Sequence, residues 1–274
     1  MQLSVSCRIA ESFHSKEEAS LTLPHLCDLA VGAGYEAICM RASQIGIHSS
    51  AEAVTEARDT LRQRNLGVTM ISGDFDIVYN NDRGPSCLRN IGPYLNLAEA
   101  LDSKLIRVCL KKESDIAAAR YAADEAAERG MTLVHQCHNQ SLFETVDEIE
   151  RRLKQIDRAN FGLIFEPANL EECRQDYGPD TIARLAPWIR NVYLQNQRLN
   201  PNGGVTLDTW SHGPISFDII GIHEPGGIDF PLVFDGLKRS GYDGVITVHQ
   251  SAPEDGTSPT VAAAQTAEFL RRLC

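Results

Sequence analysis

The chain has no run approaching the ~20 consecutive apolar residues that a membrane-spanning helix needs, so no membrane partner is expected. Positive charge is also scarce. There are 26 Lys and Arg against 37 Asp and Glu, a net charge of −11, and a general nucleic-acid surface would need the opposite balance to meet phosphates. Any anionic ligand must therefore be met by a local cluster of cations. The eight cysteines include no CxxC or other close metal spacing, and Cys39 and Cys109 sit inside apolar runs, where a thiol acts as a small hydrophobe. The opening residues, MQLSVSCRIAESF, show no basic leader followed by an apolar block, so a cytoplasmic protein is expected. What is present fits a globular chain with a sizeable core: 43% hydrophobic and 23% charged residues over 274 positions. That length suits one (β/α)8 barrel, for which about 250 residues is typical.

Residues 131–170 show the repeating unit. TLVHQCH and FGLIFEPANL are apolar runs that end in polar groups, and between them Leu142, Val146, Ile149, Leu153 and Ile156 recur at helical spacing. The unit reads as βαβ with parallel strands, whose carboxyl ends face the ligand in such folds. Alternation puts Gln136 and His138 on one face, with His135 facing the helices, and places Glu166 at the end of the next strand. Strands are expected at 3–9, 37–43, 67–74, 105–111, 190–199 and 244–251 as well. Helices are expected over 16–32, 50–65, 86–102, 113–130, 180–189, 228–240 and 260–274. The polar stretch FDIVYNNDRGP (75–85) is placed over the barrel mouth as a lid or substrate loop. Residues 200–227, rich in Gly, Pro and Asn with Trp210, His212, His223 and Glu224, show no strand or helix periodicity and read as a long ordered excursion. No repeat or composition break divides the chain. The expectation is α/β, a single (β/α)8 TIM barrel spanning residues 1–274.

The ending GGIDFPLVFDGLKRSGYDGVITVHQ and the stretch GYEAICMR resemble the xylose isomerase-like TIM-barrel superfamily, the sugar phosphate isomerase/epimerase group. That resemblance implies a sugar isomerase or epimerase acting on a small carbohydrate, one divalent ion (Zn, Mn or Mg), and pairing into a homodimer through outer helices. It also implies ligand positions at the ends of strands five to eight, which here fall on Gln136, Glu166, Tyr193 and His249. One carboxylate remains of three. Gln136 has no proton-accepting state near neutral pH, so a symmetric two-carboxylate proton relay cannot operate unchanged. With neutral histidines the site carries a charge of about −1, where the full ligand set would give about −3, so Mg or Mn is held less strongly and nitrogen ligation by Zn, or no metal, is favoured.

The resulting expectation gives His249, Glu166 and His138 catalytic roles in proton transfer beside a carbonyl, with Glu166, His249 and Gln136 as metal ligands if an ion is held. Arg41, Arg107, Lys111, Gln136, Tyr193, Gln195 and Arg198 are expected to bind substrate, the cations meeting a carboxylate or phosphate. Isomerisation, epimerisation and β-elimination share the same first proton removal, so a lyase or dehydratase is the alternative enzyme. A non-catalytic carbohydrate-binding barrel is the alternative of another class. Against it, the strand ends keep polar residues where a decayed pocket would fill with apolar ones.

Overall fold

The computed structural model describes residues 1–11, 15–252 and 256–274. Eight parallel strands close into a barrel: β1 (Gln2–Ser6), β2 (Ala37–Arg41), β3 (Gly67–Ser72), β4 (Leu105–Arg107), β5 (Thr132–Gln136), β6 (Phe161–Phe165), β7 (Ile189–Leu194) and, last in the chain, β11 (Val245–Val248). Between β7 and β11 the chain adds β8 (Gln197–Leu199), β9 (Val205–Thr209) and β10 (Gly213–Ile219), an antiparallel sheet of order β8-β10-β9. The barrel closes by pairing β1 with both β11 and β2, with Ser4 opposite Thr247 and Ala37. Among the described residues no helix is long and apolar enough to cross a membrane.

The apolar pattern accounts for the layers. Along β5 the odd residues Leu133 and His135 turn outward to the helices, and His135 packs on Phe143 with ring centroids 4.7 Å apart. The even residue Val134 turns inward, where it meets Cys39, Met70, Ile164 and Tyr193, with Leu105 against them. This small inner cluster plugs the barrel. The outer helices bury one stripe each. In the helix Val146–Ile156, Val146, Ile149, Leu153 and Ile156 are buried, Thr145 caps the amino end by accepting from the Glu148 amide, and Asp147 and Glu148 sit at its positive end. Leu142 of the expected stripe lies before that helix. The helix Leu23–Ala33 ends at Gly34, whose φ of 77° allows the left-handed turn that a side chain would strain.

Several expected boundaries are corrected. The fourth strand ends at Arg107 and not at 111, because the Lys111 and Lys112 amides turn to the Asp115 carboxylate. The helix expected over 86–102 is a 3-10 turn, Gly84–Arg89, followed by the helix Gly92–Ala100, and the one expected from residue 16 begins at Leu23. The seventh strand breaks after Leu194. Residues 200–227 are partly regular, since β9 and β10 pair through Ile215–Leu207 and Phe217–Val205.

Candidate active site

The inner cluster fixes what lies above it. Two residues beyond Cys39, Leu105, Val134, Ile164 and Tyr193, side chains again point inward, and these are Arg41, Arg107, Gln136, Glu166 and Gln195. Five carboxyl-terminal ends therefore put polar groups around one pocket. Arg8 after β1 and His249 after β11 complete the ring, and all seven line a cavity of about 230 Å³. Tyr79 and Asn80 reach it from the loop after β3, while Leu207, Asp208 and Phe217 reach it from the added sheet. The 75–85 stretch thus stands at the mouth, as expected of it. The added sheet is held there by Glu144, which accepts from the amides of Trp210 and Ser211 (2.7 Å each) and of Gln140 (2.9 Å).

Glu166 is 1% exposed and lies immediately after β6 as the cap residue of the short helix Pro167–Glu172. Its Oε2 accepts from Gln136 Nε2 and from Asn169 Nδ2 (3.0 Å), and Asn169 also donates to the Cys137 carbonyl (2.7 Å). Burial pushes its carboxyl up to about 7, against the Gln136 hydrogen bond and the charges of Arg107, Lys16 and Arg41. Near neutral pH this group both takes and gives protons. Glu172, buried on the same helix, accepts from Asn139 Nδ2 at 3.0 Å. Burial, and then the charge of Glu166, raise it to about 8.

Arg41 is clamped. Its Nε and Nη2 donate to the two oxygens of buried Glu11 at 2.9 and 2.8 Å, and Arg8 stands 3.6 Å from the same carboxylate. Burial alone would raise the Glu11 carboxyl, but the charge and hydrogen bonds of Arg41, with Ser43 and Arg8, hold it below its ordinary value. The free edge of Arg41 points Nη1 at His249 Nε2, 3.5 Å away. A guanidinium only donates, so Nε2 is the acceptor and the ring carries its proton on Nδ1, directed to Ser6 Oγ at 3.1 Å. Burial and the charges of Arg41 and Arg107 hold His249 well below the ordinary imidazole range, so it stays neutral. The ring stacks on Tyr193 at 3.8 Å, and Tyr193 donates to or accepts from Cys39 at 3.2 Å. Tyr193 is thus floor beneath the pocket and does not line it. His138 is also driven low, by burial and then Arg107, and its Nδ1 faces the Asn139 carbonyl at 2.9 Å.

Besides Tyr193, two more expected substrate contacts lie outside the pocket. Lys111 donates to the Asn80 carbonyl (2.7 Å) and sits 5.9 Å from the Trp210 ring, supporting the mouth from behind. Arg198 points outward and ties down the Pro225 carbonyl at 2.9 Å. Their inward parity fails because β4 and β7 end before reaching them. Conversely, Arg8, Glu11, Lys16 and Glu172 were absent from the expectation. Arg8 had a legible signal, lying one full alternation past Ser6 on β1; Glu11, Lys16 and Glu172 come from loops and a short helix that carry no period.

The sequence profile of the xylose isomerase-like TIM barrel family matches residues 27–273. The chain belongs to that family. Within curated proteins, the inosose dehydratase of Geobacillus thermodenitrificans (strain NG80-2) is 25% identical over 152 residues, 55% of this chain and 51% of that protein. The chain spans about half the length of the curated relatives it matches. Among solved structures, a D-allulose 3-epimerase from Methylomonas sp. in complex with D-allulose superimposes with a TM-score of 0.71 at 16% identity, covering 100% of this chain and 97% of that one. A xylose isomerase-like barrel from Mycobacterium smegmatis, solved with magnesium, gives 0.70 at 13% identity, covering 100% and 95%. These two likenesses describe the fold.

A divalent ion does not fit the side chains of this family member. Gln136 Oε1 is a buried acceptor with no hydrogen-bond partner, which a cation would satisfy. Yet Glu166 Oε2 is already held by two amides, His249 Nε2 faces a guanidinium, and Arg8, Lys16, Arg41 and Arg107 surround the space. Among the described residues no three His, Cys, Asp or Glu side chains gather as a ligand set. The expected trio of Glu166, His249 and Gln136 therefore lacks the charge that a hard cation needs.

Proposed function

We propose that this barrel is an acid–base enzyme that dehydrates a small carbohydrate derivative, removing the proton beside a carbonyl and expelling a β-hydroxyl as water. The observation that carries the reading is Glu166, a buried carboxyl held near 7 at a strand end inside the pocket. As carboxylate it takes the proton from the carbon next to the carbonyl. The same carboxyl then returns that proton to the departing hydroxyl, so a C–H and a C–O bond break, a C=C bond forms and water leaves. One group suffices for elimination on a single face.

Epimerisation asks for more, since a proton must arrive on the opposite face. Among the described residues, the other acids lining the pocket are Glu172, on the same short helix as Glu166, and Asp208, exposed on the added sheet. After β11, two strands round the barrel from β6, stands His249, neutral with its lone pair toward Arg41 and no proton to give from Nε2. Arg41 and Arg107 supply fixed positive charge for the oxyanion that forms at the carbonyl. The inosose dehydratase among the relatives is consistent with this chemistry.

The test is proton NMR in D2O with a panel of keto-sugars, inososes and sugar acids. The expected outcome is exchange of the proton beside the carbonyl and accumulation of a dehydrated product, both lost in Glu166→Gln. Return of deuterium to the neighbouring carbon with no loss of water would make the enzyme a one-base isomerase. Absence of both exchange and water loss with every compound would leave a binding barrel.

A further inference from the structure

Charge within the pocket is out of balance. Arg41 holds the Glu11 carboxylate at 2.8 Å, and Arg8 stands 3.6 Å from it. Arg107 is 2% exposed and lines the cavity, and its buried Nε has no hydrogen-bond partner. Lys16 reaches in from the first loop, its ammonium 5.5 Å from the Tyr79 ring. Among the described residues, the acids that face these cations offset them only in part: burial pushes Glu166 up to about 7 and Glu172 to about 8, and Asp208 is exposed to solvent, while burial and the neighbouring arginines lower Lys16 to about 7, so Arg41 and Arg107 are the fixed charges of the pocket. Burying a guanidinium donor without an acceptor costs free energy, and so does crowding like charges. An anion would satisfy both the unpaired donor and the excess of cations. A volume of about 230 Å³ leaves room for a compact one joined to a few carbons.

We infer that this pocket receives an oxyanion, the carboxylate or phosphate of the substrate, between Arg107, Arg41 and Lys16, and holds it where a divalent cation would otherwise be sought. The inference rests on the acid–base reading for the identity of the anion as part of the substrate, but the binding itself stands apart from it. Arg107 is the centre of the receptor, because Arg41 already spends two donors on Glu11 and turns its remaining edge toward His249. A planar fork with a buried, unused Nε suits a flat carboxylate or a tetrahedral phosphate equally.

The full chain, stripped with EDTA and then freed of it, is titrated by calorimetry with inorganic phosphate, with glycolate and with MnCl2. At least one anion is expected to bind at one site with a Kd of about 1 mM or tighter, identically with EDTA present, and about tenfold or more weakly in Arg107→Met. Stronger phosphate binding identifies a sugar phosphate, and stronger glycolate binding a sugar acid. Should Arg107→Met fail to fold by circular dichroism, Lys16→Met, at a partly buried loop position, takes its place with the same expected direction. Absence of binding by both anions, unchanged affinity in the folded variant, or stoichiometric Mn²⁺ binding that disappears in Glu166→Gln would overturn the inference. Anion binding with neither solvent exchange nor loss of water would leave it standing and remove only the dehydratase reading.

Discussion

Replacing Glu11 by Gln should be the most damaging single change in the molecule that touches no substrate. The carboxylate is 3% exposed and accepts from both forks of Arg41, which is itself 1% exposed, with Arg8 at 3.6 Å. The amide removes the negative charge and turns two N–H donors toward two guanidiniums, leaving both cations buried beside each other. Losing one partner of a buried pair typically costs about 3–5 kcal/mol, and neither group is exposed enough for solvent to screen the loss. At roughly 2 °C per kcal/mol for a chain of this size, the melting temperature should fall by about 6–10 °C. The sign of the pH dependence follows from a carboxyl held below its ordinary value of 4.5. The stabilisation is fully present above about 4.5 and is lost as pH falls through the folded value, so wild type and Glu11→Gln should converge in acid. Scanning calorimetry at pH 7 and at pH 3–4 reads both effects. A drop under about 2 °C at pH 7 would refute the reasoning, as would a difference that stays constant into acid. Adding Arg41→Met to the variant should recover part of the loss, because it removes the guanidinium that loses both of its carboxylate acceptors.

The remaining predictions concern the pocket. With Glu166 as base, kcat/KM should rise with pH through about 7, and Glu166→Gln should lower kcat by roughly 10²–10⁴-fold; a flat profile between pH 5 and 8 would exclude that role. Gln136→Glu sets a second carboxylate against Glu166 and should both drive the Glu166 carboxyl further up and create Mn²⁺ binding measurable by titration, so an unchanged metal titration would place residue 136 outside the site. Glu144→Ala strips three backbone amides of their acceptor and should speed amide hydrogen exchange across β9 and β10 while raising KM; protection equal to wild type would show that the sheet is held by other contacts.

The barrel was legible because its apolar pattern is strong and local. Alternation in TLVHQ and FGLIF, and a helical stripe between them, fix two strands and their crossover with no tertiary information. The same parity brought Arg41, Arg107, Gln136, Glu166 and Gln195 to one mouth, and with His138 and His249 they line it. Parity misled where a strand was drawn too long: Lys111 lies four residues past Arg107, beyond the end of β4, and Arg198 belongs to the added sheet. That sheet did leave a trace, Val205, Leu207 and Thr209 alternating with polar neighbours and answered by Ile215, Phe217 and Ile219, but glycine, proline and asparagine around it masked the signal. Glu11 had none. Its partner Arg41 is 30 positions away, and no local period links a loop carboxylate to a strand-end arginine. The reduced charge of the strand ends, by contrast, was readable in the residue types: Gln136 and His249 stand where the resemblance implies carboxylates.

The account turns on one proton. Carboxyl-selective ¹³C NMR of the full chain labelled at Glu, with Glu166→Gln to assign the resonance, measures it without a substrate. A carboxyl missing from the variant that titrates near 7 in the wild type is the predicted result. A Glu166 resonance that titrates near 4, as an ordinary exposed glutamate does, would contradict the assignment of this residue as the acid–base group.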